Sequence, residues 1–314
     1  MKLTDQRRGY IFALIATVAM ANVYVFSKAA LNEISLYQFG FYWFGMAMVW
    51  NLLYALPAGK INRVKFLRKK DFRVLLILGV MELVGTSLFF ASIETTSSPA
   101  NMSFLQNLVP LFVILMGVSF LGERFSGFQV LGVVVILAGA LVTSFSGNIT
   151  ETGFFVPGSG FMIASTIFLA GTTIISKKYI TNLDPGLLSF NRALFLFILS
   201  LILMLAFDQP FRIEQSAFLN TMIGSLLGPF LTAFSTFSAL RYIDASKSTI
   251  IQSSKGLFVT IGAWIYFSSV PRSFQIMGGL LTIIGVIILI SAREKSDQKK
   301  GGPVAHPSGE NTIA

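Results

Sequence analysis

Apolar residues fall in long unbroken runs along this chain, at 9–30, 36–57, 73–93, 99–120, 128–146, 155–176, 185–206, 218–240, 246–268 and 274–292. A helix needs about 20 mainly apolar residues to cross about 30 Å of hydrocarbon, and most of these runs are close to that length. Strands of a membrane barrel alternate over about 10 residues, whereas these runs are continuous, so helices that satisfy their own backbone are expected. The fold class predicted is an all-α integral membrane protein with ten transmembrane helices. The first run, Gly9 to Ala29, follows Lys2, Arg7 and Arg8 in the manner of a signal peptide. It is longer than an ordinary signal core and lacks a small-x-small cleavage site, so it reads as the first span.

Charge placement tests that count. With the first residues set on the cytoplasmic side, 19 of the 24 Lys and Arg fall in inside segments, among them Lys60 to Arg73 and Arg293 to Lys300. Lys28, Arg212 and Arg272 fall outside, and Arg192 and Lys255 lie within apolar runs. Such a bias follows the positive-inside rule and predicts both termini cytoplasmic in a plasma or inner membrane. The net charge of +10 then reflects topology, and no nucleic-acid partner is expected. A mean hydropathy of +0.73 with 12% charged residues requires lipid to cover the apolar excess. Cysteine is absent and the single histidine, His306, lies in a polar tail, so no cofactor or metal is expected.

The two halves echo each other. A shift of 146 takes Gln129, Gly132 and Gly139 to Gln275, Gly278 and Gly285, and Gln106 to Gln252; a shift of 145 takes Gly79 to Gly224. Near the starts of the halves a shift of 149 takes Gly9, Thr17, Ala21, Ser27 and Lys28 to Gly158, Thr166, Ala170, Ser176 and Lys177. The ordered set points to duplication, with one five-helix repeat at 1–148, a second at 149–293, and a disordered cytoplasmic tail at 294–314. Five is odd, so the second copy must lie inverted relative to the first, the plan on which many secondary transporters are built.

The stretch from Ser98 to Ser144 combines a mid-run Pro110, a Leu-Gly-Glu-Arg turn at 121–124 and a following run with Gln129, Gly132 and Gly139. It resembles the EamA repeat of the drug/metabolite transporter superfamily. The second half departs from the pattern, with Gly256 in place of Pro110 and Ser268, Ser269, Val270 in place of Gly122, Glu123, Arg124. The resemblance implies ten helices and a central solute cavity. It further implies that Lys255 contacts substrate, as a basic residue at a similar place does in the related sugar-phosphate and nucleotide-sugar carriers.

Candidate site residues are polar groups inside the runs, where they are costly unless they face a cavity or one another. Lys255 lies about halfway along the ninth run, and either anchors a carboxylate or phosphate of the solute or forms a structural ion pair. Glu82 is the acid deep in the third run; it either couples H+ to solute movement or pairs with Lys255. The fourth and ninth runs are broken at matched places by Pro110 and Gly256, and such breaks point to a substrate site. Asn101, Gln106 and Asn107 precede the first break; Gln252, Ser253 and Ser254 precede the second. Asn22 and Tyr24, with Gly171 to Thr173, are candidate cavity walls. The cluster around Trp43 reads as packing or an interfacial belt, with stacking on an aromatic or cationic ligand as the alternative; the Gly132/Gly139 and Gly278/Gly285 pairs and Gly224/Gly228 read as close packing or a dimer seam, and the Gly158-Ser159-Gly160 triplet as packing.

No HExxH, GxSxG, P-loop or intramembrane histidine is present, so the chain is read as a non-enzyme. The function expected is secondary transport of a small organic metabolite with a carboxylate or zwitterionic group, by export, as monomer or homodimer. The cavity is expected between the first, third, fourth, sixth, eighth and ninth helices, with a channel or an intramembrane enzyme as the alternative.

Overall fold

A computed structural model describes residues 4–56, 67–95, 106, 108–144, 158–258, 261, 265 and 273–300. The secondary structure of those residues is helical, without a strand. We number the elements α1 (Asp5–Leu31), α2 (Leu36–Ala55), α3 (Lys69–Thr95), α4 (Leu108–Leu121), α5 (Gly127–Ser144), α6 (Ser159–Tyr179), α7 (Pro185–Ala206), α8 (Gln215–Tyr242), α9 (Ala245–Gln252) and α10 (Ser273–Lys300). Among the described residues, α6, α7, α8 and the Lys69–Phe89 stretch of α3 are long and apolar enough to cross a membrane. Apolar stretches of α4, α5 and α10 are shorter.

Local chemistry sets several helix starts. Ser35 and Gln38 form a reciprocal capping box at α2, Ser126 and Gln129 bond in the same way at α5, and Asp184 before Pro185 accepts from Gly186 N–H at α7. The repeated Gln129 therefore serves a helix start. Gly158 begins α6 with φ of 91°, and a side chain added at Gly160 would meet nothing within 4 Å. This corrects the reading of the Gly158-Ser159-Gly160 triplet as packing: it is a helix start. Helix α10 continues to Lys300, beyond Arg293 where the tail was expected to begin, because Gly and Pro first appear at Gly301 to Pro303.

The eighth run holds a break that the sequence reading did not name. Pro229 has no N–H and its ring displaces the carbonyl one turn back, and α8 widens to a π segment over Leu226–Thr232. Thr232 Oγ1 donates to Leu227 O at 2.8 Å, and Ser189 of α7 donates to Pro229 O at 3.4 Å. In the ninth run α9 ends at Gln252 and a turn at Ser253–Ser254 precedes Lys255. The interruption thus comes just before Gly256. Pro110 is the third described residue of α4, and Gln106 before it is helical; the residues around it at 101–105 and 107 lie outside those described.

Polarity is arranged inside out relative to a water-soluble bundle. On α7 Ile198, Ile202 and Leu205 are exposed while Ser189, Asn191 and Ser200 are buried. Lipid tails suit the first set, and neighbouring helices supply Pro229 O to Ser189 and Leu75 O to Asn191.

Helix pairing follows an exchange. α5 packs on α10, α2 on α7 and α4 on α9; α3 packs on α6 as α8 does on α1, α4 on α6 as α9 on α1, and α3 on α7 as α8 on α2. Replacing each helix by the one five places away carries these contacts into themselves. The α7–α8 interface departs from the rule, with no comparable contact described between α2 and α3. At the α5–α10 seam a Cβ on Gly132 would lie 3.1 Å from Gly285 O, and one on Gly139 would lie 2.6 Å from Gly278 O. Residue 132 faces 285 and 139 faces 278, so α5 and α10 run antiparallel with backbones in contact, as small residues permit.

Candidate functional site

Glu82 stands at the midpoint of α3 and Arg192 in the second turn of α7. Arg192 Nε lies 3.1 Å from Glu82 Oε2, with the two side chains 29% and 9% exposed. Both atoms are buried, and neither makes an aligned hydrogen bond. The neighbouring Asn191 donates to Leu75 O at 2.9 Å and ties α7 to α3 beside the pair. Leu78, Leu188 and Phe237 wall off a cavity of about 10 Å³ that Glu82, Asn191, Arg192 and Ser176 also line. That is at the lower end of what a single water requires. Ser176 Oγ is buried there with no partner.

This geometry corrects one expectation. Glu82 pairs with Arg192 and not with Lys255, because α3 packs on α6 and α7, whereas α9, which precedes Lys255, packs on α1, α4 and α8. Arg192 was legible only as a cation inside an apolar run, with the lone deep acid as its natural counterion. The pocket also draws on α7, which the expected set of lining helices omitted.

A second carboxylate joins distant parts of the chain. Glu123, buried in the turn after α4, accepts from Ala245 N–H at 2.7 Å and Ser246 N–H at 3.2 Å, so it caps α9 from outside that helix. Gly122 permits the turn with φ of 65°, and a Cβ on Gly117 would lie 2.6 Å from Glu123 Oε2. Lys247 pairs with Asp244 and lies 5.8 Å from the Phe125 ring centroid. Lys177 Nζ donates to Leu240 O and Ile243 O at 2.7 Å each, at the end of α8.

The other sequence-predicted residues divide into local groups. Gln252 accepts from Thr236 Oγ1 at 3.1 Å and donates to Ser248. Ser253 and Ser254 donate to Thr249 O and Ile251 O in their own segment. Lys255 is half-buried and joins no described ion pair or hydrogen bond. Asn22 donates to Val18 O within α1, and Gln106 is half-buried. Asn101, Asn107 and the Tyr24 side chain lie outside the described residues. Trp43 is buried as packing, against Gly224 and Gly228.

The family model of the EamA-like transporter family matches residues 7–145 and 156–291. An uncharacterized transporter of Synechocystis sp. is 21% identical over 77% of this chain and 74% of its own length. The pseudopaline exporter CntI of Pseudomonas aeruginosa is 27% identical over 71% of this chain and 76% of its own. An uncharacterized transporter of Archaeoglobus fulgidus is 25% identical over 90% and 96%. A solved crystal structure shares the fold, with a TM-score of 0.77 over 92% of this chain and 98% of that one, at 16% identity. The two matched stretches take in most of the chain from α1 to α10, and the chain belongs to the EamA-like transporter family, as a multi-pass membrane transporter of small molecules.

Proposed function

We propose that this chain is a secondary transporter that exports a small organic metabolite with a carboxylate or zwitterionic group by alternating access. Its working parts are ten spans in two inverted five-helix repeats, at 1–148 and 149–293, with both termini in the cytoplasm of a cell with this protein in its plasma or inner membrane. The antiparallel glycine seam of α5 and α10 and the exchange of helix pairs favour that plan. The observation that carries the transport reading is the buried Glu82–Arg192 pair, which joins α3 of one half to α7 of the other around a cavity. Charges in such a place are costly and mark solute or ion paths. At about 10 Å³ this cavity holds no metabolite, so binding in it requires the helices around it to part.

Lys255, Gln252 and Ser253 at the α9 interruption, with Gln106 and Asn22, form the proposed lining of the solute path, together with Asn101, Asn107 and Tyr24. Lys255 meets an acidic group of the solute there, and Glu82 is the group through which H+ couples to transport. Purified protein in liposomes is expected to show saturable uptake and counterflow of a labelled metabolite; leakage without saturation or counterflow would reject a carrier. A Glu82→Gln variant that keeps normal dependence on a pH gradient would remove the proton from the scheme, and a Lys255→Ala variant with unchanged uptake would remove that anchor.

A further inference from the structure

The Glu82–Arg192 contact is poorly made for a structural ion pair. A buried pair contributes to stability only with good geometry and its remaining donors and acceptors satisfied, and Arg with a carboxylate is strongest as a two-pronged contact. Here a single described approach, through Nε at 3.1 Å, leaves Glu82 Oε2 and Arg192 Nε without an aligned hydrogen bond. No hydrogen bond joins the guanidinium to another described residue. Ser176, from a third helix, brings a buried hydroxyl with no partner to the same cavity. Three polar groups with unused capacity converge on one place.

We propose that this pocket is the seat of a zwitterionic head, in which the solute's carboxylate takes the Arg192 guanidinium and its ammonium takes the Glu82 carboxylate. Ser176 Oγ donates to the solute carboxylate. The charge balance selects the ligand class. The closed pair is neutral, so a lone anion or a lone cation inserted into it leaves one uncompensated charge in a low-dielectric interior. A zwitterion adds none and replaces one misaligned contact with two well-formed ones. Leu78, Leu188 and Phe237 supply the dry walls that keep those contacts strong. The cavity admits no such head until α3 and α7 part, so filling the seat and separating the helices are one event. This seat stands on α3, α6, α7 and α8, apart from the α9 segment that carries Gln252 and Ser253. The inference rests on the transporter reading, with Arg192 in place of Lys255 as the carboxylate's anchor and the solute ammonium in place of H+ at Glu82.

The test uses the full chain in liposomes, with labelled neutral α-amino acids as probes. The competitors are, for each probe, the carboxylic acid lacking the amine and the amine lacking the carboxylate. Counterflow of at least one amino acid is expected, with each single-charge analogue competing at least about tenfold more weakly. Arg192→Gln and Glu82→Gln are each expected to raise the half-saturation concentration about tenfold or more. Glu82→Gln is also expected to narrow the gap between the amino acid and its amine-free acid, which a merely structural role would leave in place. The Glu82→Gln/Arg192→Gln double variant, free of an unpaired charge, keeps the fold measurable by thermal unfolding and is expected to lose discrimination altogether. Amino-acid counterflow with unchanged half-saturation in Arg192→Gln, or equal competition by the amine-free acid, would overturn the seat. So would a wild-type protein that moves only carboxylates or only amines, with the transporter reading intact. A broad solute library without any saturable counterflow would instead bring down the transporter reading, and the seat with it.

Discussion

A shift of 149 takes Trp43 to Arg192, and a shift of 145 takes Gly79 to Gly224 and Glu82 to Leu227, so the α2–α8 and α3–α7 interfaces can be laid side by side. Both use the same device at one level: an α7 ring, Phe195, lies over Gly79, and an α2 ring, Trp43, lies over Gly224. One turn along they part. On α8, Gly228 makes further room for Trp43, at 3.0 Å from an added Cβ, and the contact is apolar and buried. On α3 the corresponding turn carries Glu82, and Trp43's counterpart is Arg192. The first interface is fixed by shape, which nothing in solution can imitate. The second is fixed by charge, which another charge can replace, so the two respond to different perturbations although they occupy equivalent places.

The largest expected effect breaks the charged interface. Arg192→Met leaves Glu82 buried without its cation, and is expected to cost about 3 kcal/mol, near the lower bound for unpairing a buried ion because Arg192 is 29% exposed. Adding Glu82→Leu is expected to return stability to within about 1 kcal/mol of the original, since apolar replacement of both partners is close to neutral. Transport is expected to be absent in both variants. Thermal unfolding in detergent alongside liposome uptake reads the two quantities separately. A single variant as stable as the original would mean the pair is no more than a solvated contact.

The dry interface is expected to give way next. In Gly224→Ala the new Cβ overlaps the Trp43 ring, and overpacking of this kind costs about 2 kcal/mol. Trp43→Phe in the same chain is expected to recover much of that loss, whereas Trp43→Phe does nothing for Arg192→Met. Gly160→Ala is the control: open space surrounds it, so alanine's better helix propensity is expected to leave stability equal or slightly higher. Equal loss at Gly160 and Gly224 would mean that helix glycines here are sensitive for reasons other than Trp43.

The legible part of this contrast was the scaffold. Apolar runs anticipated helices, and the Gly132/Gly139 and Gly278/Gly285 spacings anticipated close packing, because each depends on composition or periodicity along one element. The α3–α7 pair was half legible. Glu82 and Arg192 both stood out as charges in apolar runs, yet their sequence separation of 110 gave no sign of contact, and Lys255 competed as partner. The π segment around Pro229 stayed hidden because Pro229 has no matching break in the third run. Glu123 was read as part of a family turn, while its work as a cap depends on where α9 begins in space.

Glu123 extends the comparison, since the second half has Ser269 in its place and so lacks the carboxylate. Glu123→Ala removes the acceptor for Ala245 and Ser246 N–H at the start of α9, and a lost cap is expected to cost about 1 kcal/mol. Amide exchange at Ala245 and Ser246 is expected to accelerate more than exchange in α7. Exchange unaltered at those two amides would show that Asp244, the residue before α9, takes over the cap.

The smallest effect probes how dry the α2–α8 interface is. Trp50 Nε1 donates to Ser225 Oγ at 3.0 Å, a polar bond within a contact that also holds Trp43 on two glycines and the Tyr42–Phe218 and Tyr54–Phe230 ring pairs. Trp50→Phe removes the donor but leaves no orphan, because Ser225 still donates to Met222 O at 2.8 Å. The expected loss is about 0.5 to 1 kcal/mol, the net worth of one hydrogen bond. Ser225→Ala is different: it strands the indole N–H in an apolar setting, and is expected to cost more than Trp50→Phe despite removing fewer atoms. That order of the two variants, read as melting temperatures, depends on water staying out of the interface. The reverse order would mean that water reaches Trp50, and that the interface fixed by shape opens as readily as the one fixed by charge.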